Sequence, residues 1–216
     1  MASTLRDRYV PKSVNPMRRD APGAVRAMPS PHRLHHFHIY SDENYEAMIA
    51  FYTRFFNGET VAVQGGDGPP MTFLTFDDHD HRVAIVKRPG WGAKPERAVG
   101  VSHLAFCYRS LGELIYVYRK MKEWGYPPYR TVSHGNSTSF YYRDPDGNEI
   151  ETMIDNFSTL DSQTYKRHYQ FSDEFGATSE GNFDPDKLAG LYEAGVPDSV
   201  LLDREEVRRL VREGAL

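Results

Sequence analysis

Apolar residues recur along positions 33–157 at two spacings, and each spacing predicts one kind of element. Between 42 and 56 they recur every three or four positions, as one buried helical face requires. The residues concerned are Tyr45, Met48, Ile49, Tyr52, Phe55 and Phe56. Short stretches rich in β-branched and aromatic residues, bounded by turn formers, predict strands at 34–40, 60–64, 71–76 and 82–87. This first unit therefore reads as strand, helix and three strands.

The same order returns in the second half of this region. A helix is predicted at 111–124, and strands are predicted at 101–108, 129–132, 138–142 and 149–154. A constant offset of 67 residues superposes the two units without a gap, as the pairs His36 and His103, Gly58 and Gly125, Phe73 and Phe140, and Asp77 and Asp144 illustrate. We interpret this as a duplicated βαβββ unit. The predicted fold is α+β, with two tandem βαβββ modules, at about 33–88 and 100–155, that form an open mixed-sheet cup.

The segments that flank the 33–157 domain have a different character. Residues 1–32 are rich in proline and arginine, which predicts an irregular N-terminal arm; an organelle transit peptide is the weaker alternative. Residues 158–216 are predicted to form a C-terminal tail with helices at 186–194 and at the terminus, the latter capped by Asp203 with Glu206 three positions on. We expect the arm and the tail to brace the domain or a subunit interface of a homo-oligomer.

Composition narrows the class of partner. The chain has 216 residues, 39% of them hydrophobic, and a net charge of −4. An acidic balance argues against nucleic acid, so a small molecule is the expected partner. Cys107 is the only cysteine, which excludes an internal disulfide and a thiolate metal site. No apolar run is long enough for a membrane span, and no signal-peptide core is evident, so a cytoplasmic location is expected.

The first candidate site residue is a glutamate, Glu151, in the last predicted strand. The turn at 144–148 makes 138–154 a hairpin, and alternation places Glu151 on the face opposite Ile150. The repeat then selects His36 and His103 as counterparts, whereas the counterpart of Glu151 is Ala84. If the modules pack pseudo-symmetrically, two imidazoles and one carboxylate meet, a set that suits a divalent first-row metal with open coordination positions. In the alternative interpretation Glu151 is a surface residue and both histidines are structural.

Three segments carry a resemblance to a known family. They are HHFHIYSDENYEAMIAFYTRFF, GVSHLAFCYRSLGELI and SFYYRDPDGNEIE. They resemble the vicinal oxygen chelate superfamily, which also holds glyoxalases and bleomycin resistance proteins, and within it the type I extradiol dioxygenases. FLTFDDHDHRVAIV and HGNSTSFYYRDPDGNEIE are similar to the one-domain members related to biphenyl-2,3-diol 1,2-dioxygenase.

The resemblance implies a function and a site. The function is Fe(II)-dependent extradiol cleavage of a catechol-type diol by O2, with Mn(II) as an alternative metal. The metal ligands would be His36, His103 and Glu151. Tyr141 would hydrogen-bond the bound phenolate and His134 would act as an acid–base group.

Two features of this resemblance leave alternatives open. The larger enzymes carry a further histidine upstream of the second ligand, and 84–102 contains none. His79 and His81 lie in the predicted turn of the first module, either exposed or in the substrate site. A glyoxalase-type lyase or isomerase is one alternative, although Ala84 supplies no fourth ligand. A catalytically silent homologue that binds small molecules is the other.

Overall fold

The computed structural model describes residues 28, 31, 33–95, 97–168 and 182–216. The predicted N-terminal arm lies outside these residues except for Met28 and Pro31. The chain divides into an N-terminal unit, 1–35, and a unit of residues 36–216. All the helices and strands given below belong to the second unit. None of the helices in the described ranges is both long and apolar enough to span a membrane.

Each half of the predicted repeat forms one helix and one four-stranded sheet. The first module contains β1 (Phe37–Ser41), α1 (Tyr45–Phe55), β2 (Glu59–Gln64), β3 (Met71–Thr75) and β4 (Val83–Lys87). The second contains β5 (His103–Cys107), α2 (Leu111–Glu123), β6 (Arg130–Ser133), β7 (Ser137–Arg143) and β8 (Glu149–Asp155). Strand orders are β1-β4-β3-β2 and β5-β8-β7-β6, with the first pair parallel in each sheet and the others antiparallel. The predicted α+β fold of two βαβββ modules with mixed sheets is confirmed.

Strand register corrects the ungapped superposition of the two modules. The parallel pairs keep the 67-residue offset, because Phe37 pairs with Val83 and Leu104 with Ile150. In the hairpins, however, Phe73 pairs with Ala84 whereas Tyr141 pairs with Glu151. Tyr141, not Phe140, is therefore the counterpart of Phe73, and the prediction of a repeat without a gap was wrong.

The physical reason lies in the second hairpin turn, which is one residue shorter than the first. Asp144 tightens this turn, since its Oδ1 accepts hydrogen bonds from the backbone N–H groups of Asp146 and Asn148 at 3.0 and 2.8 Å. A one-residue slip of a strand would exchange its two faces, so the turn absorbs the difference and the strand pairs keep their faces.

The first strand also begins later than predicted. Phe37 donates the first ladder hydrogen bond, to the Arg82 carbonyl at 3.1 Å, so His36 immediately precedes β1. His103, its counterpart, is the first residue of β5. The two predicted ligands are therefore not equivalent in backbone setting.

One aromatic core lies beneath the two modules. Phe37 and Phe106 from the first strands of the two modules face each other with centroids 5.8 Å apart. A buried hydrogen bond also joins the modules, because the Tyr52 hydroxyl of α1 donates to Asp144 Oδ2 at 2.8 Å. Both modules therefore fold around shared contacts, which fixes β5 and β8 relative to β1.

The described residues of the C-terminal segment, 158–168 and 182–216, include the helices α3 (Thr159–His168), α4 (Pro185–Glu193), α5 (Asp198–Leu201) and α6 (Arg204–Arg212). The predicted cap of the last helix is confirmed, since Asp203 accepts hydrogen bonds from the N–H groups of Glu205 and Glu206 at 2.9 Å. The helix predicted at 186–194 is α4. Helices α3 and α5 were not predicted.

Candidate active site

Glu151 lies at the centre of the second sheet and is buried, with 5% of its surface exposed. It follows Ile150 in β8, and alternation turns Ile150 into the core and Glu151 onto the opposite face. Across the sheet Glu151 pairs with Ala105 of β5 and with Tyr141 of β7. A carboxylate in this position requires polar partners, because burying an unpaired charge is costly.

His103 is the first of these partners. Its Nε2 lies 2.9 Å from Glu151 Oε2, and its ring meets the Tyr141 ring edge-on with centroids 5.5 Å apart. The imidazole is partly open to solvent whereas the carboxylate is enclosed, with 36% and 7% of their side chains exposed. The predicted pairing of a histidine from the first strand with a carboxylate from the last strand is thus present in the second module.

On the side of Glu151 away from His103, Tyr141 contacts the carboxylate and His134 contacts Tyr141. Burial, together with the charge of Glu151 and a hydrogen bond to it, raises the pKa of Tyr141 well above its usual value. The phenol therefore keeps its proton, and because a carboxylate only accepts, its O–H donates to Glu151. His134 Nε2 lies 3.1 Å from the same hydroxyl.

The protonation state of His134 follows from its surroundings. Burial lowers its pKa, Arg130 and Lys166 lower it further, and Glu151 opposes them. His134 is therefore a neutral imidazole whose Nε2–H donates to the Tyr141 oxygen. This tautomer leaves Nδ1 as a proton acceptor. Side-chain contacts thus run without a break from His134 through Tyr141 and Glu151 to His103.

A glycine turn fixes the backbone next to His134. Gly135 has φ +86°, and the Tyr165 hydroxyl of α3 lies where a Cβ at Gly135 would project. Asn156 donates from Nδ2 to the Gly135 carbonyl at 3.0 Å, and its backbone N–H donates to Asn136 at 2.9 Å. The C-terminal segment therefore contributes to the site, a role that the sequence did not indicate.

His36 has different neighbours. Its ring lies 4.5 Å from that of His81, measured between centroids, and His81 also contacts Phe73 and bonds to Asp80 through Nδ1 at 2.6 Å. With 17% of its side chain exposed, His81 is not a solvent-exposed turn residue. Sequence reasoning left this histidine undecided. The parallel pairing of β1 with β4 is the signal that places it beside His36.

The structure thus places two of the predicted metal ligands, His103 and Glu151, in contact in the second module, whereas the third, His36, packs on His81 in the first. Within the ranges that the structure describes, no group that includes His103 and Glu151 brings a third candidate ligand atom within 4.8 Å. The three-ligand set of His36, His103 and Glu151 stays a prediction. The donor chemistry fits a divalent ion, because an enclosed carboxylate faces an imidazole and the matching position in the first module is Ala84.

A cleft of about 980 Å³ adjoins His103. It is lined on the β1 side by His38 and Tyr40 and on the other side by Arg143 and the β7–β8 turn. Its size is adequate for an aromatic small molecule. A second cleft, of about 1000 Å³, lies beside α2, and none of the described residues that line it is a histidine.

Comparison with known proteins places these features in a family. The model for the Glyoxalase/Bleomycin resistance protein/Dioxygenase superfamily matches residues 33–152. Biphenyl-2,3-diol 1,2-dioxygenase 3 of Rhodococcus globerulus is 40% identical over 176 residues, covering 80% of this chain and 88% of that protein. Biphenyl-2,3-diol 1,2-dioxygenase 2 of the same organism is 35% identical over 162 residues, covering 74% and 81%.

A solved structure agrees at the level of the fold. The glyoxylase/bleomycin resistance protein/dioxygenase domain from Frankia sp. EAN1pec aligns with a TM-score of 0.51 at 17% identity, covering 58% of this chain and 99% of that domain. Together with the paired βαβββ modules, these matches show that the chain belongs to the Glyoxalase/Bleomycin resistance protein/Dioxygenase superfamily.

Proposed function

We propose that this chain is an extradiol dioxygenase that opens the ring of a catechol-type diol beside its two hydroxyl groups, using Fe(II) and O2. The observation that carries the proposal is the polar row formed by His103, Glu151, Tyr141 and His134, where a buried carboxylate contacts an imidazole on one side and a tyrosine–histidine pair on the other. The two relatives named biphenyl-2,3-diol 1,2-dioxygenase support the reaction class.

His36, His103 and Glu151 would hold the iron, or Mn(II) in its place. When bound, the metal would supply Lewis acidity toward the diol hydroxyls and an electronic link between diol and O2. The net charge of −1 from one carboxylate and two neutral imidazoles suits a divalent cation. Ala84 adds no donor, which disfavours a glyoxalase-type centre with four protein ligands.

The chain's own residues would handle protons and orientation. Tyr141 keeps its proton, so it is suited to donate a hydrogen bond to a substrate oxygen that has lost one. His134 is suited to accept a proton from the diol and return it later, since burial favours its neutral form. His81, packed on His36, offers an imidazole beside the predicted ligand, where 84–102 has none.

The test compares two glutamates of the same strand. Anaerobically purified protein is loaded with Fe(II) and offered a panel of catechols, with O2 uptake and the yellow ring-fission product measured. We expect Glu151→Gln to lose both iron and turnover, and Glu149→Gln, whose half-buried carboxylate bonds to Arg143 in the lining of the cleft, to keep its iron. If the unmodified protein neither binds iron nor colours any catechol, the proposal is wrong.

A further inference from the structure

The polar row of the second sheet continues beyond Tyr141 to a cation. Register pairs Glu151 with Tyr141 and Tyr141 with Arg130, so all three side chains project from one face of the sheet. The Arg130 guanidinium carbon lies over the Tyr141 ring, 5.3 Å from its centroid. Because strands are spaced by roughly 4.8 Å, the β6 backbone at Arg130 stands about 10 Å from that of Glu151.

A second cation comes from the C-terminal segment. Lys166 lies in the last turn of α3, the helix whose Tyr165 contacts the Gly135 turn. Arg130 lies over Tyr141, and Lys166 follows Tyr165, whose hydroxyl lies against Gly135 beside His134; in keeping with this placement, both cations lower the pKa of His134. The site is therefore polarised, with its carboxylate at the β8 end and its positive charges at the β6 and α3 end.

The positive charge at the β6 end of the site determines which kind of substrate substituent would bind there. Register places Tyr141 between Glu151 and Arg130 on one face of the sheet, so a diol held at the Glu151 end could reach Arg130 with a substituent that extends across Tyr141. A guanidinium presents N–H groups in a plane that matches the two oxygens of a carboxylate. An uncharged substituent, such as the second ring of a biphenyl-2,3-diol, would use none of that pairing.

We infer that the diol cleaved by this chain carries an anionic substituent, a carboxylate or its equivalent, and that Arg130 binds it. This inference rests on the proposed function and adds the substrate class. Arg130 is thereby a specificity-determining residue, since it would contact the substituent and not the reacting carbons. Lys166 adds a longer-range attraction that salt would screen.

The test uses pairs of catechols that differ only in charge. 3-(2,3-Dihydroxyphenyl)propanoate and 3,4-dihydroxyphenylacetate are each compared with their methyl esters on the iron-loaded full chain. For at least one pair we expect kcat/KM to favour the acid by on the order of tenfold or more. Arg130→Met should bring that ratio close to one, and Arg130→Lys should retain part of it.

Arg109→Met is the matched control. It removes the same charge from a side chain that is 92% exposed and pairs only loosely with Glu113, at 3.8 Å. The acid-to-ester ratio should not change in this variant. Should Arg130→Met fail to fold, added salt provides a second measurement on the unmodified protein, because it should lower kcat/KM for the acid and not for the ester.

Three results would overturn the inference, and they separate it from the proposed function. Equal kcat/KM for acids and esters refutes the anionic substituent while leaving ring cleavage intact. An acid preference that survives in Arg130→Met assigns the anion to another residue. Failure to cleave any acid or ester overturns both the inference and the function beneath it.

Discussion

Replacing Tyr52 with phenylalanine removes a single hydroxyl from the buried hydrogen bond between the two modules. The Tyr52 side chain is 0% exposed and donates to Asp144 Oδ2 at 2.8 Å, where Asn148 Nδ2 is a second donor at 2.9 Å. A hydrogen bond to a charged acceptor contributes about 1.5–3 kcal/mol. We therefore expect Tyr52→Phe to lower the free energy of unfolding by about that amount at pH 7.

The loss should depend on pH in a defined direction. Burial raises the pKa of Asp144, and the Tyr52 hydrogen bond opposes that rise. Without the hydroxyl the folded-state pKa of Asp144 rises further. A carboxyl with a raised folded pKa contributes stability below its unfolded pKa of about 3.9, and this contribution is lost as pH rises through the folded value. The deficit of the variant should therefore be smaller near pH 4 and grow toward pH 7.

Urea unfolding near pH 4 and at pH 7 measures this difference, and the chain offers a matched control. Tyr45 lies in the same helix and is also buried, but its hydroxyl bonds to the neutral Thr72 hydroxyl at 2.6 Å. Tyr45→Phe should cost about 0.5–1.5 kcal/mol at both pH values. A Tyr52→Phe deficit that matches the control at pH 7, or that is larger near pH 4, would refute the assigned role of Asp144.

Two further predictions concern the site itself. Tyr141→Phe should leave bound iron unchanged but reduce kcat on the order of tenfold or more, measured by O2 uptake; unaltered turnover would make the tyrosine a packing residue. Gly135→Ala should lower the free energy of unfolding by roughly 1–3 kcal/mol in urea titrations, because φ is +86° and Tyr165 occupies the Cβ position. Gly147→Ala, with φ +80° and open space around it, should cost less, and equal losses would rule out the Tyr165 contact as the cause.

Hydrophobic patterning was sufficient to predict both modules, since α1, α2 and all the strands except β2 contribute buried or partly buried apolar side chains. Hydrophobic patterning could not predict the register of the hairpins, because a turn shortened by one residue leaves the apolar pattern of each strand unchanged. Tyr141 thus received Leu74 as its counterpart from the constant offset, whereas the strand pairs assign it Phe73. Local pattern determines which residues form a strand; the partner of each residue depends on the length of the turn.

The candidate site was predictable where it depends on strands and not where it depends on loops or the tail. The contact of His103 with Glu151 follows from alternation and the repeat. His81 was left undecided because turn histidines are usually exposed, and only the β1–β4 pairing brings it to His36. Helix α3 escaped prediction because Ser162 is its only buried residue among those described, so it presents no apolar stripe.

The alanine at position 84 gives the two copies of the duplicated unit different tolerance to change. Ala84 and Glu151 occupy matching places in parallel strand pairs, yet only the second copy carries an ionisable group there. Random substitutions on the cup face of β3 and β4 would then alter chiefly shape, whereas those on β7 and β8 would also alter charge and proton balance. A mutational scan of these strands should therefore find the cup face of β7 and β8 less permissive than that of β3 and β4.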